Sequence, residues 1–316
     1  MLIIKMMDYI KLANKIQSFL FDKREDILFS IVAKFMILPK NIYINFNEIN
    51  YFERILDYNY LTYLNCSNAK IDYFPGRLNN LIFFDCSNTD INKLPMISNK
   101  LRFLNISNTY IETIPKHLIN LEEIYCDGSF IDNISKKFIN LKKIITNNTN
   151  IKTIKPFNNL KYLECYNNII NDISYLPNIN FLICNNTLIQ KICLFNNLVY
   201  LNCSDSNIDE LDIDLNKLIY LNISNTLIDI LPESNTLKIL ICEDSNLIEL
   251  NRSFNKLLIL NISNNKVISE IPDTYVELLF LNISYTKNII NISKKYKKIK
   301  YIDCSNSNLK SYSGDY

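Results

Sequence analysis

LRFLNISNTYIETIPKHLIN, residues Leu101 to Asn120, reads as one turn of a repeating structure. Its counterparts start at Leu61, Leu81, Leu101, Leu121, Leu141, Leu160, Ile179, Leu198, Leu218, Leu237, Leu257, Leu278 and Ile299, thirteen units spaced by 19 to 21 residues. Self-similarity at a fixed period of this length is the mark of a solenoid. If the first residue of a unit is position 0, position 3 is Leu, Ile or Phe in every unit, from Leu64 and Phe84 to Leu281 and Ile302. Position 5 is Cys or Ile except at Thr146, and position 10 is aliphatic except at Asn288. A weaker unit precedes these, with Ile44 and Phe46 at positions 3 and 5 and Tyr51 at position 10.

Alternation along a strand turns positions 3 and 5 inward and positions 2, 4 and 6 outward. A single short strand cannot bury its inner face, so the units must stack, each adding ~4.8 Å to a parallel sheet. About nine residues remain after position 10, too few for a convex helix of ordinary length, and extended or short 3₁₀ segments are expected there. Prolines steer them at Phe74-Pro75, Leu94-Pro95, Ile114-Pro115 and Leu231-Pro232.

Positions 0, 3, 5, 8 and 10 resemble the leucine-rich-repeat signature LxxLxLxxNxL, over residues 41 to 316. The short period and the recurring Ile/Leu-Pro are similar to those of bacterial LPX-type effectors and of repeat proteins of large DNA viruses. The resemblance implies an α/β solenoid: a horseshoe with a parallel β-sheet on its concave face and a mostly non-helical convex side. It also implies a non-enzymatic protein–protein interaction scaffold. One departure is consistent. Position 8, usually Asn in the family, is Thr or Ser in ten units and Asn only at Asn168 and Asn265. A buried hydroxyl bonds fewer turn groups than an amide, so position 7, mostly Asn or Asp, is expected to share that work.

Residues 1–40 carry no repeat and show helical spacing, with Ile3, Met6, Met7 and Ile10 in one segment and Ile27, Leu28, Ile31, Val32 and Phe35 in another. A helical N-terminal cap over the first core layer is expected. An adaptor helix set of the F-box kind, followed by Leu38-Pro39, is the other reading of this segment. It would make the chain a substrate-recognition subunit, such as a ubiquitin-ligase adaptor or a phosphatase regulator.

Composition narrows function further. The 316 residues are 48% hydrophobic, with 3 Gly, no Trp and one His, and a net charge of +2. Three glycines cannot build a phosphate-cradling or dinucleotide loop. A single histidine, His117, leaves little for His-based metal sites or nucleophilic triads. Asp209 and Glu210 fall on a turn and read as solvated. Balanced charge gives no global field for nucleic acid. The N-terminal apolar run is broken by Lys5 and Asp8 and lacks a cleavage signal, and Ile27 to Leu38 is too short to span a bilayer. The chain therefore reads as soluble and intracellular, in the cytoplasm. We expect no catalytic residue, cofactor, metal, small-molecule substrate, nucleic acid or membrane insertion.

Two columns admit two readings. Eight of nine cysteines occupy position 5 (Cys66, Cys86, Cys126, Cys165, Cys184, Cys203, Cys242, Cys304), where Ile stands in other units. They read as core packing, with disulfides or a metal stack among Cys165, Cys184 and Cys203 as the alternative. At position 2, nine of thirteen units carry an aromatic: Tyr63, Phe83, Phe103, Tyr162, Phe181, Tyr200, Tyr220, Phe280 and Tyr301. Ile239 and Ile259 continue the row, with Asn202, Asn222 and Ile241 beside it at position 4. Such a strip, from Tyr162 to Phe280, suits binding of a protein partner on the concave face. Cross-strand stacking and β-propensity alone would also select aromatics there.

Overall fold

The computed structural model describes residues 41–43, 61–74, 77–173, 175–193 and 195–310. The expected cap over 1–40 lies outside the described residues. Fourteen strands of three residues, from Asn41–Tyr43 and Tyr63–Asn65 to Phe280–Asn282 and Tyr301–Asp303, form one parallel sheet in which every strand neighbours the next in sequence. Register is strict: position 2 pairs with position 2, as in Tyr162 with Phe181 and Phe181 with Tyr200. The first strand pairs Ile42 with Leu64, so the weak leading unit sits two residues earlier than its spacing suggests. A shift of two preserves strand alternation, which is why the hydrophobic pattern did not exclude it.

Strand length is set by the backbone that follows. All thirteen residues at position 7 have positive φ, from 47° at Asp244 to 61° at Asn68 and Gly128. Asn, Asp and Gly tolerate this left-handed region better than other residues, which explains the column's composition. Position 7 is thus first a turn residue, and its backbone N–H still joins the ladder by donating to the position 6 carbonyl of the next unit, 2.9 Å from Asn68 to Ser87. The position 8 hydroxyl donates back to the carbonyl of position 5, at 2.7 Å for Thr109, Thr187 and Thr226. At position 4, the Asn or Asp Oδ1 accepts the backbone N–H of position 6, at 3.0 Å for Asn105 and Asn222. Each turn is therefore closed mostly by its own side chains. Among the described residues, no buried side-chain N or O atom is left without a partner.

The core is a set of columns. Positions 0, 3 and 5 are buried at 0% exposure in most layers, as in Leu101, Leu104 and Ile106. Burying each such side chain contributes about 1.5–3 kcal/mol. In the two 21-residue units, Val267 and Asn288 are exposed, while Ile268 and Ile289 are buried at 0% and take the inward slot. The extra residue is accommodated in the turn. A second column of Leu118, Phe138, Phe157, Phe195 and Phe254 fills the convex side, joined by Tyr275 and Tyr296 with their hydroxyls bonded to backbone carbonyls. The convex side holds short paired strands, such as Thr153–Ile154 with Asp172–Ile173, and a 3₁₀ turn at Leu215–Lys217. No α-helix occurs among the described residues, as the spacing predicts for this side.

Candidate functional site: the concave face

Strict register brings the position 2 side chains into one row on the open face of the sheet. Tyr63, Phe83 and Phe103 stack at 4.0 and 4.1 Å between ring centroids, and Tyr200 and Tyr220 at 4.2 Å with planes 4° apart. Tyr162, Phe181 and Tyr200 follow one another more loosely, at 5.9 and 6.0 Å. Ile239, Ile259 and Phe280 extend the row from Tyr220, and Phe280 stacks on Tyr301 at 4.9 Å. Most of these side chains are half-buried, and Phe181 is 41% exposed. The row is broken by Glu123 and Lys143, but the Lys143 ammonium lies 5.0 Å from the Tyr125 ring and 4.7 Å from that of Tyr162. A cation between two ring faces keeps the line continuous.

Position 4 behaves differently. Ile241 lies half-buried beside the row, whereas Asn202 and Asn222 already use Oδ1 to accept the N–H of Ser204 and Ser224, at 3.2 and 3.0 Å. Their side-chain N–H groups are what remains for a partner.

Four consecutive units, starting at Leu121, Leu141, Leu160 and Ile179, lack the Asn/Asp-x-Ser pair at positions 4 and 6. Here the turns are tied to one another. The Asn147 backbone N–H donates to Asp127 Oδ1 at 2.6 Å, its side-chain Nδ2 to Glu164 Oε1 at 2.9 Å, and the Tyr166 N–H to Asn147 Oδ1 at 3.0 Å. Tyr162 donates its hydroxyl to Glu164 Oε2 at 2.8 Å. Burial, then the bond to Glu164 and its charge, hold the Tyr162 hydroxyl well above its ordinary pKa. Burial and Tyr220 push Tyr200 up to about 12. Burial also raises Asp127. The sequence reading missed this cluster, although the interruption of the Asn-x-Ser period marks it.

The remaining chemical candidates stand apart from the face. His117 is exposed on the convex side with Nε2 2.7 Å from the Ile97 carbonyl oxygen. Glu210, read from the sequence as a turn residue, instead begins the short strand Glu210–Asp212 on the convex side, where it pairs with Lys191 at 2.8 Å. Cys165, Cys184 and Cys203 are free, fully buried thiols, and the Cys203 Sγ lies 3.5 Å from the Asn222 carbonyl oxygen. Burial pushes all three thiols up, Cys203 to about 12, away from thiolate chemistry. Cys304, the eighth of the position 5 column, is exposed. Among the described residues no group of three or more His, Cys, Asp or Glu side chains is placed to hold a metal ion, and no helix is long and apolar enough to cross a membrane.

The architecture is that of a leucine-rich-repeat solenoid. No family model matches the sequence, and no curated protein matches it. Solved structures do. The functional domain of InlJ from Listeria monocytogenes, which includes a cysteine ladder, superposes with a TM-score of 0.72 at 21% identity, covering 80% of this chain and 60% of that one. YopM from Yersinia enterocolitica gives 0.72 at 22% identity, covering 79% and 57%. The Drosophila Toll–Spatzle complex gives 0.59 at 16%, covering 81% and 42%. The chain thus spans about three-fifths of the first two structures' length. Identities this low carry the fold and nothing finer.

Proposed function

We propose that this protein is a non-enzymatic scaffold that seats a protein partner on its concave face, centred on Tyr162, Phe181, Tyr200 and Tyr220. The observation that carries the reading is the register-aligned row of half-exposed rings running on into Ile239, Ile259 and Phe280. Aromatic side chains held rigid by their neighbours lose little freedom on binding, and such residues dominate interface energetics. One neighbour in fold, Toll, is known in complex with Spatzle, which supports a protein-binding role. The recurring Ile/Leu-Pro and the fold likeness to YopM of Yersinia pestis, a leucine-rich effector protein, support grouping the chain with such effectors. Free thiols buried along the core suit a reducing, intracellular setting.

The test is affinity purification from the protein's native cell with the natural chain and with Tyr200→Ala/Tyr220→Ala. Truncating two central aromatics should weaken capture of the specific partner by more than about tenfold, with circular dichroism unchanged. Equal capture by both proteins removes the site assignment.

A further inference from the structure

Summed over the concave sheet, the strand starts are basic and the strand ends acidic. At positions −1 and 1, around the strand start, nine Lys or Arg side chains stand against two acids, Glu122 and Glu277. All nine are exposed, Arg102, Lys142, Lys161, Lys238 and Lys256 among them. At positions 4, 6 and 7, at and beyond the strand end, seven acids include Asp127, Glu164, Glu243 and Asp244, and there is no Lys or Arg. Parallel register converts these into two lines along the solenoid with the aromatic row between them. Net charge conceals the pattern because the lines nearly cancel.

Folding does not require this division. Sheet dipoles are small and select no sign of charge at a strand end. Both acids are ion-paired within the basic line, Glu122 with Arg102 and Lys142 at 3.5 and 2.6 Å and Glu277 with Lys298 at 2.6 Å, so three of the nine bases are already partnered. Among the described residues, Lys161, Lys238 and Lys256 have no carboxylate within ion-pair distance. These ammonium groups point to a ligand of opposite sign.

We infer that the partner presents an acidic, extended protein segment to the basic line, running along the solenoid axis with its apolar side chains over the aromatic row. This rests on concave docking as proposed above and adds the partner's chemistry and its placement toward one edge. Charge complementarity across the face fixes orientation, because the acidic line lies roughly 10–16 Å away across the strands, about one Debye length or more. A protein segment can keep its carboxylates on one side. A nucleic-acid strand, the other polyanion, is disfavoured by the rings. Tyr63, Phe83 and Phe103, and Tyr200 with Tyr220, lie face to face at 4.0 to 4.2 Å, so those faces are spent on one another and present edges outward. Bases need open ring faces to stack on.

Fluorescence anisotropy tests this with the full chain and four labelled probes: a peptide of repeated Glu-Leu-Glu-Ser units, its Gln and Lys counterparts, and oligothymidylate. At low salt the Glu peptide should bind about tenfold more tightly than the Gln peptide. That preference should vanish at high salt and in Lys161→Glu/Lys238→Glu/Lys256→Glu, whose substitutions are all exposed. Circular dichroism checks that the variant is folded. Absence of Glu-peptide binding, an equal or greater affinity for the Gln or Lys peptide, or tighter binding of oligothymidylate overturns the inference. If Gln and Glu peptides bind equally and Tyr200→Ala/Tyr220→Ala weakens both, the acidic partner fails while concave docking stands. If bound peptide responds to neither set of substitutions, both fail.

Discussion

Raising the pH from neutrality to about 10 should destabilise this solenoid far more than an ordinary domain, and the position 5 thiols set the size of the effect. Seven of them, Cys66, Cys86, Cys126, Cys165, Cys184, Cys203 and Cys242, are buried at 0% exposure. Burial raises every one, to about 12 for Cys126 and Cys203. An unfolded thiol titrates near ~8.5. Below that value both states keep the proton and these groups add no pH dependence. Between it and the folded value only the unfolded chain releases protons, so stability falls as pH rises. At pH 10 the loss is about 2 kcal/mol per thiol, or about 14 kcal/mol for the seven. That matches the whole stability of a typical domain, about 5–15 kcal/mol.

Replacing three consecutive thiols, in Cys165→Val/Cys184→Val/Cys203→Val, should remove about 6 kcal/mol of that loss. The slot accepts an aliphatic, since Ile106, Ile223, Ile262 and Ile283 occupy it fully buried. Tyr275 and Tyr296, whose buried phenols are also raised, titrate in both proteins and drop out of the comparison. Urea denaturation followed by circular dichroism, in reductant at pH 7 and 10, reads the difference. An identical pH shift of the urea midpoint in both proteins refutes the argument, because it would place the alkaline instability outside the thiol column.

Two further substitutions probe the turns. Tyr285, at φ 60° and 58% exposed, is the only residue at position 7 other than Asn, Asp or Gly. Tyr285→Asn should therefore stabilise by about 0.5–1 kcal/mol and raise Tm by roughly 1–4 °C, and a lowered Tm would contradict the turn assignment. Asn168 accepts from the Thr149 N–H and hydroxyl at 2.8 and 2.9 Å and donates to the Cys165 carbonyl, all in buried surroundings. Asn168→Ala should cost about 2–4 kcal/mol, against about 1 kcal/mol for Thr187→Val, which loses one hydroxyl bond. Equal shifts in the urea midpoint would show that the amide does no more than the hydroxyl.

The spacing that starts at Leu101 located every concave strand from Tyr63–Asn65 onward, because burial at positions 0, 3 and 5 leaves one way to stack the units. It failed where two arrangements bury the same residue types. Val267 and Ile268 are both aliphatic, so spacing did not say which turns inward. Ile42 and Ile44 are separated by one full alternation, so either could begin the leading unit. The hydrogen-bonding columns were harder still. Asn at position 7 read as an amide bonding turn backbone, whereas its backbone angle is the first reason for it. Its amide bonds the same column of the preceding unit, as Asn108 to Asn88 at 2.8 Å and Asn186 to Asn167 at 2.7 Å. Asn at position 4 read as an outward group, whereas its Oδ1 faces the N–H two residues on. A column's composition names the side chain but not the backbone group within its reach. The opposed charge lines were fully present in the sequence. They emerge only once each Lys and Glu is assigned to a column, since a net charge of +2 averages them away.

A uniform solenoid has a difficulty as a receptor. If every unit presented the same side chains, a partner displaced by one strand, ~4.8 Å, would meet an equivalent surface, and no register would be preferred. Seating at one place needs residues that do not repeat. The units from Leu121 to Ile179 supply them, because they abandon the position 4 side-chain cap on position 6 while keeping the position 8 bond, as at Thr187. The backbone N–H of position 6 must still be satisfied. At Asn147 it turns to Asp127 in the preceding unit, and at Tyr166 to Asn147. Position 4 is thereby released from capping and becomes Tyr125, Ile145, Glu164 and Ile183 in succession. Glu164 then fixes the Tyr162 hydroxyl, and Lys143 settles between Tyr125 and Tyr162. The place where the repeat is least regular is also where cation, carboxylate and rings meet on the concave face. Under the docking proposed above, it is the mark by which a partner distinguishes one register from the next.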